Sequence, residues 1–577
     1  MAKKSGSAHV ATTRRSYKGK VYETHLLRRS YREGGKVKHD TLGNLSHLPL
    51  ETIDLIRRSL AGETFVSAKD RFAIERNLPH GHVEAVLGTI KKLGFDRFIS
   101  STVSRERNLV VGMIAARLLF PCSKLATVRR WCSTTLAEEL DLVDATEDDL
   151  YGAMDWLLVR QGRIEKNLAK GHLREGAVVL YDVTSSYYEG RRCSLAQFGH
   201  NRDGKKGRKI IVYGVMTDME GCPVGLDVYP GHTGDPSTVA DQAEKLLNRF
   251  GLKHVVLVGD RGMLTQAQID KLRFRPGIGW ISALRSKQIR QLADRGSIQM
   301  SLFDECNLAE IQDPQYPGER LVVCYNPLLA EERTRKREDL LEATEKALDK
   351  IVLEASRRKQ KPLGKAEIGL KIGRVLHRHK MGKHFSLSIQ DKSFTYKRRE
   401  ASIRRERELD GIYVIRTSEP AKTFSPEDVV RKYKSLSEVE RAFRCLKGLD
   451  IMVRPIRHWN DDRVRAHIFI CLLAYYVEWH MRRALQPLLF EDEERHEQKE
   501  QRDPVAPAKA SSSAQAKKAT KTTAEGTPVH SFDSLLAELG TRCRNRCRLP
   551  EGPEEHAFYM VTEATDFQKM ALGLLQL

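Results

Sequence analysis

Patterned cysteine is missing from this 577-residue sequence: the ten cysteines lie scattered at 122, 132, 193, 222, 306, 324, 445, 471, 543 and 547. That scatter excludes a disulfide framework, and most of the thiols read as small buried hydrophobes. Cys543 and Cys547 form a C-x3-C with no second pair and no neighbouring His, a poor zinc signature. An apolar leader is also missing from the first 20 residues, so a reducing, cytoplasmic setting is expected. Long hydrophobic runs are absent too. The longest, Ala466 to Val477, lies between Arg465 and Glu478 and reads as a buried core helix. It falls short of the roughly 20 residues that cross a bilayer, and no membrane role is expected. Acidic residues, finally, are outnumbered by basic ones, 76 against 98, for a net charge of +22. An excess of that size points to a phosphate-bearing partner, with a basic protein lacking any polyanionic partner as the alternative on charge alone. Two segments hold most of it: +8 in residues 1–40 and +10 in residues 351–410.

Hydrophobic residues make up 40 % of the chain, enough for real cores, and the length suggests several domains. Alternating stretches flank Glu33-Gly34-Gly35, predicting a β-hairpin within residues 16–45. From about 50 to 172 the period becomes helical, as in NLVVGMIAARLL, and such a module serves equally as DNA-end binding or plain packing. Between 176 and 285, apolar runs at 177–185, 208–218, 222–231, 254–263 and 279–285 interleave with two helical segments. That rhythm predicts an α/β unit on a mixed sheet of buried strands. A looser region, 286–425, holds a strand at 321–325, a charged helix near 331–357 and a basic strand-like stretch ending at 411–418. Helical periodicity returns over 425–447 and 461–486, and residues 491–530 are low-complexity and charged.

Asp182 and Asp260 each close an apolar run, at or next to the strand end where ligands of open α/β sheets collect. Alone, either could be a capping residue. Together they could hold a divalent cation, and hard oxygen ligands favour Mg2+ or Mn2+ over zinc. A third carboxylate is available in SLSEVERAFRCLK. Steps of seven residues put Tyr433, Glu440 and Lys447 on one helical stripe with Arg444 beside it, while Leu436, Val439, Phe443 and Leu446 form the packing face. On spacing alone, Glu440 could equally be part of a solvated ion-pair face. His200 and His232 sit in loops without ligand spacing, and the glycine- and lysine-rich stretch at 202–208 lacks the ending of a nucleotide-binding loop.

The arrangement resembles the DDE transposases of bacterial insertion sequences, in the group with a β-rich insertion in a ribonuclease-H-like core. Three features carry the resemblance: Asp182 after the first strand, Asp260-Arg261-Gly262 after the fourth, and Tyr433-x2-Leu436-x3-Glu440-x6-Lys447. The family has Arg where Leu436 stands, a place Arg444 or Arg441 could fill. The resemblance implies a catalytic and metal-binding triad of Asp182, Asp260 and Glu440 on two Mg2+ (or Mn2+) ions. It also implies DNA contacts through Tyr433, Arg444, Lys447 and Arg261. The implied activity cleaves element ends and joins their 3′-hydroxyls to target DNA. A metal-dependent nuclease on the same fold and a non-catalytic DNA-binding derivative are the alternatives. The implied partner is double-stranded DNA, bridged by a homodimer, in the cytoplasm at the nucleoid. The chain then divides into a basic tail and hairpin (1–48), a helical, DNA-binding region (49–172) and the first stretch of the catalytic core (173–285). An inserted subdomain (286–424), the second stretch of the core (425–490), a flexible linker (491–530) and a tail (531–577) follow.

Overall fold

The computed structural model describes residues 7–63, 65, 73–303, 306–358, 362–548 and 557–577. The start of the basic tail (1–6) and a few residues of the basic segment 351–410 (359–361) lie outside the described residues. By contact the chain divides into two units, Met1–Asn77 with Arg544–Val561, and Leu78–Cys543 with Thr562–Leu577.

In the first unit, β1 (Ala8–Tyr17), β2 (Lys20–Glu33) and β3 (Lys36–Asn44) form an antiparallel sheet in that order. Gly34 and Gly35 turn β2 into β3 with φ of 60° and 78°, a left-handed pair that side chains resist. The expected hairpin is therefore widened by one strand. β1, rich in Thr and Arg, carries no apolar alternation that would have announced it.

β4 (Ala73–Pro79) begins in the first unit, and the sheet at the centre of the second unit follows. Its strands are β5 (Ala177–Tyr187), β6 (Ile210–Thr217), β7 (Pro223–Pro230), β8 (Val255–Val258) and β9 (Ile278–Ala283). The segment after β9 adds β10 (Leu308–Ile311) and β11 (Arg320–Tyr325), then a separate hairpin of β12 (Phe385–Gln390) and β13 (Ser393–Arg398), then β14 (Ile412–Thr417). The eight-stranded order is β10-β11-β14-β9-β8-β5-β6-β7. β5, β8 and β9 run parallel; every other neighbouring pair is antiparallel. The strands alternate strictly because both faces are covered. Val178, Leu180, Val256 and Val258 pack in one core with the helix Asp461–Leu485, while Val179, Tyr181, Val255 and Leu257 pack in another with the helical segments after β7 and β8. The apolar run 466–477 is buried throughout inside Asp461–Leu485. No single described helix is long and apolar enough to cross a membrane.

The region between β9 and β14 builds its own small core of Leu341, Leu348, Ile368, Ile372, Phe385 and Phe394. About a quarter of its basic strand-like stretch is one helix, Lys365–His379. Ile368, Ile372 and Leu376 recur every four residues there and pack against the long helix Pro327–Arg357. The periodic segment 425–447 is two helices, Pro426–Lys434 and Leu436–Lys447, parted at Ser435, whose hydroxyl donates to the Arg431 carbonyl. Segment 491–530 carries short helices Arg495–Gln501 and Ser512–Thr520, and buries Val505 and Ser511. Beyond it, the helix Phe532–Gly540 precedes β15 (Cys543–Arg548) and β16 (Phe558–Val561), which make a sheet with β4 in the order β16-β15-β4.

Candidate active site

Register brings the two aspartates together. In the parallel pair of β5 and β8, Leu180 stands opposite Val258, the last residue of β8. Two residues further along each chain are Asp182 and Asp260, on the face of the sheet that Leu180 and Val258 share. Neighbouring strands lie about 4.8 Å apart, so the two carboxylates start as neighbours. Asp260 lies past its strand, as expected. Asp182 does not: β5 runs on to Tyr187, because Val183 to Ser186 stay buried and paired with β6. What ends at Leu180 is the pairing with β8, and that leaves Asp182 on a ledge inside the sheet.

Local hydrogen bonds hold both groups. The Asp182 carboxylate accepts from the Val183 N–H at 2.7 Å. Asp260 accepts from the N–H groups of Gly262 (2.9 Å) and Met263 (2.8 Å). A Cβ on Gly262 would stand 3.3 Å from both Asp260 carboxylate oxygens, so glycine lets this loop close on its own aspartate. The helix Leu436–Lys447 packs Val439, Ala442, Phe443 and Leu446 onto the same face and leaves Glu440 exposed. Asp182, Asp260, Glu440, Tyr433 and Arg261 all line one cleft of about 890 Å³.

Electrostatically the cleft is unfinished. Among the described residues, none of the three carboxylates has an ion pair. Burial, with Asp260 nearby, pushes Asp182 up to about 7, against the Val183 hydrogen bond and Arg202. Burial and then Asp260 push the Tyr433 hydroxyl up to about 12, with Arg261 opposing. Unlike the His172–Cys222–His480 and Cys445–Asp450–Glu478 groups, the three carboxylates do not all come within 4.8 Å of one another. Clustered oxygen donors left without a cation suit hard divalent ions.

The remaining residues divide. Arg444 is exposed on its helix. Lys447 is not in the cleft: its ammonium donates to the Ser185 carbonyl (2.6 Å) and to Asp203 (3.0 Å). Asp203, its side chain 1 % exposed, also takes Arg454 at 2.5 Å. Glu440 and Lys447 share one helix, but Lys447 lies two turns further on, where the Ser185 carbonyl and the Asp203 carboxylate take its ammonium. Leu436, at the family's Arg position, lines the cleft without charge. Arg290, Arg333 and Lys336 line it as well, individually missed by sequence reasoning, while Arg337 and Lys383 on its wall are paired with Asp410 and Glu406. The spacing Arg333, Arg337, Leu340 on one charged helix was the available signal. His200 and His232 join no described group of ligand-type side chains.

A mixed α/β core that gathers unneutralised carboxylates beside basic side chains defines a protein built to hold cations and polyanions together. The family described as "Transposase DDE domain" matches residues 174–477, and "IS1634 family transposase, N-terminal domain" matches residues 10–70. The chain belongs to the DDE transposases of bacterial insertion sequences, enzymes that act on DNA with divalent metal ions. A cryo-EM structure of the piggyBac transposase synaptic complex with hairpin DNA is 11 % identical, over 80 % of this chain and 76 % of that one. Its TM-score of 0.33 is too low to bear on the fold. No curated protein matches the sequence.

Proposed function

We propose that this transposase cuts the ends of its insertion sequence and joins the freed 3′-hydroxyls to target DNA at the cleft between β5, β8 and the helix Leu436–Lys447. The observation that carries the reading is the set of three carboxylates, Asp182, Asp260 and Glu440, lining one cleft with no ion pair among the described residues. The strand order β7-β6-β5-β8-β9, with β5, β8 and β9 parallel, supports a ribonuclease-H-like core interrupted after β9 and resumed near residue 425.

Asp182, Asp260 and Glu440 would hold the ions, Mg2+ or Mn2+. Metal–oxygen bonds of about 2.0–2.1 Å keep the ligands of one Mg2+ within about 4.2 Å of each other, so a triad whose carboxylates do not all approach within 4.8 Å suits two ions better than one. When bound, such ions would supply activation of the attacking hydroxyl and stabilisation of the leaving oxygen. The chain's own groups do the rest. Asp182 must lose its proton to serve. Asp260 is kept oriented by the Gly262 and Met263 N–H groups. Tyr433, un-ionised at neutral pH, can donate to a phosphate oxygen, and Arg261 can pair with one. Arg444 is free to meet the backbone further out, while Lys447 reaches phosphate only by leaving Asp203. Two ends processed together imply a homodimer on double-stranded DNA, in the cytoplasm at the nucleoid.

Incubating the full chain with pre-cut ends, target plasmid and Mg2+ tests this. Joined product is expected. Cleavage without joining would make it a nuclease, and paired ends bound with neither reaction would make it a DNA-binding protein only.

A further inference from the structure

Away from the carboxylates lies a pocket of about 700 Å³ whose charge has the opposite fault. It forms where the helices Arg105–Leu119 and Lys124–Trp131 meet residues 452–467, the stretch leading into the helix Asp461–Leu485. Arg117 and Lys124 line it and are 7 % and 4 % exposed. Among the described residues neither has a carboxylate partner. Arg117 donates only to Nδ1 of His467 (3.4 Å), whose Nε2–H is committed to the Val453 carbonyl (3.0 Å). The other cations around the opening are already paired: Arg454 with Asp203, Arg457 with Glu189 and Arg463 with Asp155. The single carboxylate on the wall, Glu147, accepts from the Tyr151 hydroxyl.

Two buried cations without a counter-ion are costly, and proteins keep such an arrangement where a ligand supplies the missing charge. Ser123 caps the helix that begins at Lys124, so the positive end of that helix opens on the same pocket. We infer that this pocket is a second anion site, built by Arg117 and Lys124 for a phosphate group of bound DNA, separate from the carboxylate cleft. The inference rests on the DNA reading for the source of the phosphate, and on the pocket alone for the anion. Burial and Arg117 pull Lys124 down to about 7, and an anion bound beside it would draw its charged form back. The exposed Trp459, on the rim with Arg192 over its ring, offers a face for the sugar or base attached to that phosphate.

Three measurements on the full chain test it. Inorganic phosphate should raise the melting temperature of the wild type and leave Lys124→Gln and Arg117→Gln unmoved. Lys124→Met should melt higher than the wild type without phosphate, because an uncompensated buried charge is gone. In duplex binding, Lys124→Gln should lower the slope of log K against log salt by about 0.9, the value of one phosphate contact. Phosphate stabilisation with an unchanged DNA slope would keep the anion site and overturn its assignment to DNA. No phosphate effect on the wild type and no slope change would overturn the inference entirely. Wild type that binds no DNA at all would instead remove the transposase reading, and the phosphate melts would still decide the pocket.

Discussion

Asp182 and Asp203 flank the same helix, Leu436–Lys447, and meet opposite treatment. Asp203 is buried, yet Lys447 and Arg454 both bridge it, and the Tyr187 N–H donates to its other oxygen at 2.9 Å. Among the described residues, Asp182 has one backbone hydrogen bond and no ion pair. Folding could have neutralised both. It neutralised the one that ties the 199–208 loop to the core, and left open the one in the cleft. An unneutralised carboxylate beside a second one is a cost that only a ligand repays, so the comparison separates structure from chemistry without reference to any family.

The largest effect should come from Asp182→Asn, with cleavage and joining falling at least about 100–1000-fold while DNA binding stays within a few-fold. Single-turnover strand transfer beside filter binding checks this; an equal loss in both would place Asp182 on the structural side of the comparison. Next is Asp203→Asn, which strands Lys447 and Arg454 and should destabilise the protein by about 3–5 kcal/mol, read from urea denaturation. If that variant kept full stability and lost only activity, the contrast would reverse.

A third prediction concerns pH. Asp182 is raised to about 7 in the fold against 3.8 for the unfolded group, so between those values the folded chain holds the extra proton. Its contribution is therefore fully present below about 3.8 and lost as pH rises through about 7. Metal-free protein should lose melting temperature across that window relative to Asp182→Asn, and saturating Mg2+ should shrink the difference by favouring the ionised form. The smallest effect belongs to Arg444→Ala. Stability should move by less than about 0.5 kcal/mol, and the salt slope of DNA binding should drop by about 0.9 if the exposed guanidinium touches one phosphate.

Periodicity made much of this legible before any coordinates. The apolar runs that became β5 to β9, the Glu33-Gly34-Gly35 turn and the buried helix over 466–477 follow from spacing alone. Asp260 past the end of β8 could be read as such because its run is short and ends in Gly-Asp. Other features were hidden. β1 carries too few apolar residues to show a period of two. Lys365–His379 looked extended because its isoleucines are β-branched, yet their spacing of four lets them pack on the long helix. The stripe through Tyr433, Glu440 and Lys447 could not show that Asp203, far off in sequence, takes Lys447 away from the cleft.

By itself, then, the amino-acid order determined the elements, the basic excess and the carboxylates available for chemistry. Those depend on residues near one another in the chain, where the strand and helix periods act. Only the tertiary structure decided which charges meet. Asp182 was left without a cation, Lys447 was drawn to Asp203 rather than to the cleft, and Arg117 and Lys124 were buried together with no carboxylate between them. The reason is that pairing and desolvation depend on separation in space, and these partners are brought together by sheet register and helix packing between segments far apart in sequence.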